Sequence, residues 1–164
     1  MTKQQNPKKT LVLGLGNPLL TDDSIGLHVA QKIRTQWTER PDIEVDEAST
    51  GGLQLMERLI GYDRAIIVDA IRTGAAPGTI HHLAPDAIPT QHSASSHDAN
   101  LATALTLGRQ AGAPLPTNDN ILLIAIEAAD VTTFSETCTP QVTSAIPQAI
   151  EAVLTALEHT PQTP

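Results

Sequence analysis

Apolar residues along the chain fall into short continuous runs that alternate with stretches of helical spacing. Leu11-Val12-Leu13-Gly14-Leu15-Gly16 is a near-continuous apolar run ending in glycine, the pattern of a strand buried on both faces. From Asp23 to Trp37 the period changes. Ile25, Val29, Ile33 and Trp37 recur at four-residue steps, which predicts a helix capped by Thr21 or Asp22. Ile43-Glu44-Val45 reads as a second strand, and Thr50 opens a helix carrying Leu53, Met56, Leu59 and Ile60. Ala65-Ile66-Ile67-Val68 is a third strand, with Asp69 where its apolar run ends. Thr79 to Leu83 is a fourth. Only Ala70 to Gly78 join these two, fewer residues than the roughly dozen that a parallel crossover needs, so strand four is expected to run antiparallel. Ser95-Ser96 caps a helix from His97 to about Gln110, with Leu101 and Leu105 inward, and Ile121 to Ile126 is a fifth strand ending at Glu127. A last helix carries Val142, Ile146, Ala149, Ile150, Val153, Leu154 and Leu157, with Thr139 as cap and Pro140 in its first position. Pro147 lies inside it and predicts a kink or a fresh start there.

Strands alternating with helices predict an α/β fold, a three-layer α/β/α sandwich around a mostly parallel sheet. One domain over 10–158 is expected, between polar tails 1–9 and 159–164 that read as disordered. In such sheets, ligands bind beyond the carboxyl ends of the strands. The turn from Gly16-Asn17 to Asp23, then Glu47, Asp69 and Glu127, all fall at those ends, so four acidic side chains are expected to converge on one rim.

Composition narrows the function. The lone cysteine, Cys138, has no partner for an internal disulfide, which fits a reducing compartment. Met1 to Thr10 lacks the apolar core of a signal peptide, and no apolar run approaches the roughly 20 residues that span a bilayer. A cytoplasmic protein with no membrane association is expected. The net charge of −8 repels phosphate backbones, and with only Trp37, Tyr62 and Phe134 for base stacking, nucleic acid is not an expected partner.

The glycine-rich first turn lacks a dinucleotide fingerprint, because Leu19 stands where the third glycine belongs, and no Walker loop occurs. Neither a Gly-x-Ser-x-Gly elbow nor a His-Glu-x-x-His helix is present. Cys138, before Thr139-Pro140, stands at a helix start that stabilises a thiolate, but a nucleophile there needs a histidine base within reach. Asp22-Asp23 read as helix-capping residues or as ligands. Asp69, closing a buried apolar run, is costly to bury unpaired. His97 stands at a helix N-terminus, where the dipole favours a neutral imidazole with a lone pair for a metal. One imidazole and two carboxylates with open positions is a common donor set for a catalytic divalent ion. His81 and His82 point to opposite faces of a strand and cannot share an ion; His28 lies off its helix's apolar stripe; His92 is near His97 with nothing to orient it.

The run Gly14-Leu15-Gly16-Asn17-Pro18-Leu19-Leu20-Thr21-Asp22-Asp23-Ser24-Ile25-Gly26 closely resembles the opening of the nickel–iron hydrogenase maturation endopeptidases. The resemblance continues at Thr50-Gly51-Gly52-Leu53, Ile66-Ile67-Val68-Asp69-Ala70, Pro77-Gly78-Thr79, Ser96-His97 and Thr139-Pro140-Gln141-Val142, across about residues 11 to 157. It implies a five-stranded mixed sheet with strand four antiparallel. It also implies that Asp23, Asp69 and His97 are metal ligands and catalytic residues of an aspartic-type endopeptidase. The implied partner is the precursor of a nickel–iron hydrogenase large subunit, from which a C-terminal extension is removed. The implied metal is Ni2+ that arrives with that substrate, with Zn2+ or Cd2+ as substitutes in vitro, and the implied state is a monomer. The chain departs from many relatives at Glu47-Ala48-Ser49-Thr50, where they carry aspartate, and has Asp23 where some have glutamate. Two mechanisms stay open. In one, the three ligands complete the nickel's coordination and a water activated there attacks; in the other, nickel serves recognition and Glu47 or Glu127 acts as general base. The rival readings are a non-catalytic nickel-binding assembly chaperone and a nucleotide-binding module on the glycine turn.

Overall fold

A computed structural model describes residues 8–36, 40–86 and 101–159. The strands are β1 (Thr10–Leu15), β2 (Ile43–Ala48), β3 (Arg64–Ile71), β4 (Ile80–Leu83) and β5 (Ile121–Glu127); the helices are α1 (Ile25–Gln36), α2 (Gly52–Arg58), α3 (Leu101–Gln110) and α4 (Pro140–Glu158). Among the described residues the strands form one five-stranded sheet in the order β2-β1-β3-β5-β4. The pairs β1–β2, β1–β3 and β3–β5 are parallel, and β4 runs antiparallel to β5, as its short connection from β3 requires.

The two faces of the sheet bury two aliphatic cores. On one, Val12, Ile66, Val68, Ile124 and Ile126 meet Ile25, Val29 and Ile33 of α1 and Val142, Ile146, Ala149, Ile150 and Val153 of α4. On the other, Leu11, Leu13, Leu15, Ile67 and Leu123 meet Leu55, Met56 and Leu59 from α2 and its end, and Leu101, Ala104 and Leu105 of α3. Each fully buried side chain of this kind contributes roughly 1.5–3 kcal/mol relative to exposure. The central strands β1, β3 and β5 are covered on both sides, which is why their sequences read as continuous apolar runs rather than alternations.

Several local boundaries differ from the sequence reading. The segment expected to begin a helix at Asp23 opens instead with a 3-10 turn, Thr21–Ser24, and α1 proper starts at Ile25. Neither Thr21 nor Asp22 caps it, because both side chains are engaged by distant loops. Gly51, not Thr50, occupies the cap position of α2. Asp69 is followed by Ala70 and Ile71 within β3 rather than closing the strand. Pro147 neither ends nor restarts α4, which is continuous from Pro140 to Glu158. The ring is on the exposed side, so the packed face of the helix continues past it.

Close backbone packing fixes the approach of α1 to the sheet. A Cβ on Gly26 would stand 2.2 Å from the Val68 carbonyl oxygen and 2.3 Å from that of Leu15, and one on Gly14 would stand 2.2 Å from the Gly26 oxygen. The first turn of α1 therefore rests directly on β1 and β3, with no side chain between. Gly16, at φ +154°, lies against the Asp23 carbonyl, where a Cβ would come within 2.1 Å. These contacts set the 3-10 turn over the carboxyl ends of the central strands.

Candidate active site

Asp23 and Asp69 are brought to this end of the sheet from different elements. Asp23, 4% exposed, is on the 3-10 turn, which packs against β3; its Oδ2 accepts the Asn17 N–H at 3.0 Å. Asp69, 1% exposed, is in β3 next to Ala125 of β5, and its Oδ1 accepts the Ala70 N–H at 2.8 Å. Strand alternation gives Asp69 the face of Ile67, the one covered by α2 and α3. Two carboxylates in an aliphatic setting are expensive to keep charged unless strong partners or a cation share the site. Both are oxygen donors suited to a divalent ion, so the donor chemistry fits one.

The residues before Asp23 hold it in place. Asp22 is fully buried, and its carboxylate is saturated by hydrogen bonds. Oδ1 accepts the Thr139 N–H at 2.7 Å, and Oδ2 accepts the Ala129 and Asp130 N–H groups at 2.9 Å each. The Thr139 hydroxyl lies within 3.0 Å of both oxygens. Asp22 thus ties the 3-10 turn to the loop after β5 and to the start of α4, and Thr139 spends its hydroxyl on Asp22 rather than on capping α4. Thr21 has φ 48°, a left-handed conformation that is strained for a β-branched residue. It is held there by its own N–H, which donates to the Ser135 carbonyl at 3.0 Å, and by its hydroxyl, which donates to the Thr133 carbonyl.

Glu127 and Glu47, the expected alternatives for a general base, are engaged by other partners. Glu127 is 2% exposed. Oε1 accepts the Thr73 and Gly74 N–H groups at 2.7 and 3.0 Å, while Oε2 accepts the Thr73 hydroxyl at 2.9 Å and lies 3.1 Å from His81 Nε2. Burial works to raise its pKa, but the Thr73 N–H and hydroxyl, His81 and Gly74 outweigh it and hold the carboxyl below the usual range. With its lone pairs engaged, Glu127 fastens the β3–β4 loop. Glu47 pairs in register with Gly14, as does Val68, so it points to the α1 face, opposite to Asp69, where its Oε2 stands 3.6 Å from Arg34 of α1. Of the four acids expected at this rim, register turns Glu47 to the opposite face, while Glu127, paired with Ile71, shares the face of Asp69 but has its oxygens engaged by Thr73, Gly74 and His81.

The surroundings of Cys138 disfavour a thiolate. Burial raises its pKa most, the Ser24 hydroxyl works the other way, and the nearby Asp22 charge raises it further. The thiol lies 3.6 Å from the Thr21 carbonyl and packs under the strained turn. His81 and His82 do face opposite sides of β4, one to Glu127 and the other exposed. His97, the third expected ligand, and His92 lie outside the described residues, as does Trp37. Among the described residues no group of three His, Cys, Asp or Glu side chains could hold a metal ion. A cavity of about 820 Å³ lies at the opposite end of the strands, lined by Thr10, Ile43, Arg64 and Leu157 among others, away from Asp23 and Asp69. The anchoring roles of Asp22, Thr73 and His81 left no mark on the sequence, since their partners are 46 to 117 residues away.

Residues 27–156 match the family model described as "Hydrogenase maturation protease". The chain belongs to that family. Among its relatives, the Hydrogenase 2 maturation protease of Escherichia coli (strain K12) is 30% identical over 92% of each chain. Hydrogenase expression/formation protein HupD of Thiocapsa roseopersicina is 28% identical over 88% of this chain, which spans 65% of that protein. The structure of the hydrogenase maturating endopeptidase HybD from E. coli superposes with a TM-score of 0.79 at 30% identity, covering 92% of both chains. The [NiFe] hydrogenase maturation protease HybD from Thermococcus kodakarensis, at 22% identity and a TM-score of 0.69, shares the fold. A hydrogenase maturation protease with this sheet is expected to carry its chemistry at the carboxyl edge, where Asp23 and Asp69 stand. The glycines of the first turn serve close helix–sheet contact.

Among the described residues, no helix is long and apolar enough to cross a membrane.

Proposed function

We propose that this chain is an endopeptidase that removes the C-terminal extension from the precursor of a nickel–iron hydrogenase large subunit, and that it reads nickel carried by that substrate through Asp23, Asp69 and His97. The observation that carries the reading is the burial of two carboxylates on adjoining elements at the ligand-binding edge of a maturation-protease fold. The names of the relatives supply the substrate class: proteins of this family are called hydrogenase maturation proteases.

Nickel is here part of the substrate, and it supplies Lewis acidity to the scissile region when the precursor docks. The chain's own contribution is a set of incomplete ligands. Asp23 and Asp69 bring anionic oxygen donors that are already desolvated, so completing a coordination shell costs them little further dehydration. His97 is the proposed neutral third donor. It precedes α3, whose first residue, Leu101, packs on the sheet face on which Asp69 stands. Glu127 and Glu47 are engaged by other partners, which favours the version in which water activated at the ligand set adds to the scissile carbonyl and its proton goes on to the departing amine. A cytoplasmic location and a monomeric state complete the proposal.

Cleavage of the precursor, read by product mass, is the test. Nickel-loaded precursor should be cut, and nickel-free precursor and unfolded proteins should not. Asp23→Asn, Asp69→Asn and His97→Ala should each abolish cutting with unchanged circular dichroism. Efficient cutting of nickel-free precursor, or full activity in the Asp variants, would overturn the reading. A direct titration with Ni2+, Zn2+ or Cd2+ isolates the third ligand. His97→Ala should weaken binding at least about tenfold, while His82→Ala leaves it unchanged. An intact precursor after binding would instead mark an assembly chaperone.

A further inference from the structure

The residues that position Asp23 also carry an exposed apolar pair. Leu20 and Ser135 form an isolated parallel bridge: the Ser135 N–H donates to the Leu19 carbonyl at 2.9 Å, and the Thr21 N–H donates to the Ser135 carbonyl at 3.0 Å. Leu19 and Phe134 precede the two bridged residues, so they are register neighbours on this two-stranded ribbon. Leu19 is 50% exposed, and Phe134, the sole phenylalanine of the chain, is 80% exposed. An exposed aromatic on a loose loop needs no explanation, but this loop is not loose. The Asp130 Oδ1 accepts the Thr132 and Thr133 N–H groups at 2.9 and 3.0 Å, the Thr133 carbonyl accepts the Thr21 hydroxyl, and the buried Asp22 accepts the Ala129 and Asp130 N–H groups. The Asp130 carboxyl is lowered to about 2 by its bonds to Thr133 and Thr132, so it stays a charged acceptor for this turn throughout the neutral range.

We propose that Leu19 and Phe134 are the docking contact for the precursor: they grip an apolar side chain of the extended segment that leads into the Asp23–Asp69 site. The inference rests on the function proposed above and adds the residues that select its substrate. An aromatic anchor on a backbone that is already ordered loses less entropy on contact than one on a loose loop, a condition that favours single residues dominating an interface. The ribbon is continuous in chain with the site, since Thr21, its last bonded residue, is two residues from Asp23. A second copy of the chain is a poor occupant, because a patch of two side chains falls far short of the roughly 800 Å² per partner of a stable dimer. An anionic lipid surface is disfavoured by the net charge of −8.

Steady-state cleavage of nickel-loaded precursor decides the matter, with binding of the precursor measured in parallel. Phe134→Ser and Leu19→Ser should each raise KM and Kd about tenfold or more with kcat nearly unchanged. Leu107→Ser, which alters an equally exposed leucine on α3, should behave as wild type. A wild-type KM and Kd in both ribbon variants, or equal losses in all three, would overturn the docking contact. If wild-type protein binds the precursor but leaves it whole, the proposed endopeptidase function fails. The Kd of the ribbon variants then still decides whether they hold the partner. Sedimentation of the wild type as a dimer that Phe134→Ser dissolves would assign the ribbon to a second copy and overturn the proposal.

Discussion

Adjacent aspartates divide their work at the residue scale. Asp22 and Asp23 look alike in sequence, yet Asp22 accepts backbone and hydroxyl donors from two distant segments while Asp23 lies at the candidate site. Replacing Asp22 takes the shared acceptor from the partly buried N–H groups of Ala129, Asp130 and Thr139, at a cost of up to about 1–3 kcal/mol for a donor that water does not reach. Asp22→Ala should therefore lower stability by about 1–3 kcal/mol in urea unfolding, whereas Asp23→Asn should change stability less and activity far more. Glu127 gives a pH prediction. Its pKa in the folded chain is below its unfolded value, so the stability it contributes is fully present above the ordinary carboxyl value of 4.5 and is lost as pH falls through the lower folded value. Urea midpoints should fall on acidification below about pH 4.5, and Glu127→Gln should flatten that part of the profile. A profile of the same slope in both proteins would show that Glu127 does not fasten the loop through its charge.

For elements, the decisive event is the seating of α1 on the sheet. Its apolar spacing places Ile25, Val29 and Ile33 toward the core, but the depth of approach depends on Gly26 against the Val68 and Leu15 carbonyls. Gly26→Ala should cost about 3 kcal/mol or more, because both neighbours are backbone atoms that cannot rotate away. Gly61→Ala is the contrast. Its Cβ would meet nothing, and only the strain of φ +88° remains, about 1 kcal/mol. Thermal or urea denaturation of the two variants checks the ordering. Pro147 belongs to the same scale. Its ring removes one N–H from the middle of α4, and with that face exposed, Pro147→Ala should stabilise the helix by about 1–3 kcal/mol, read as a higher melting temperature.

Two cores share one sheet in the whole molecule. Ile67 and Val68 are neighbours in β3, yet one belongs to the α2/α3 side and the other to the α1/α4 side. Neither core can dissolve without baring the opposite face of the strands that hold the other. Urea unfolding should thus be a single transition with coincident far-ultraviolet dichroism and Tyr62 fluorescence, and a slope of about 1–3 kcal/mol/M. Two separated transitions would mean that the layers unfold independently.

The element types, their order and the antiparallel fourth strand were all determined by the sequence alone. They follow from local chemistry: apolar period, the short Ala70–Gly78 connection, and caps such as Pro140 at the start of α4. Asp23 and Asp69 were legible too, as acids at the ends of apolar segments beside glycine-rich turns. Which acids share a face was not legible. Glu47 and Asp69 each stand near the carboxyl end of a strand, and only the pairing of both strands to β1 reveals that they point to opposite sides. Glu127 looked as available as Asp69 until the fold brought Thr73, Gly74 and His81 to it. Tertiary structure decided these roles because a carboxylate's chemistry depends on the donors that reach it, and those donors come from residues distant in the chain.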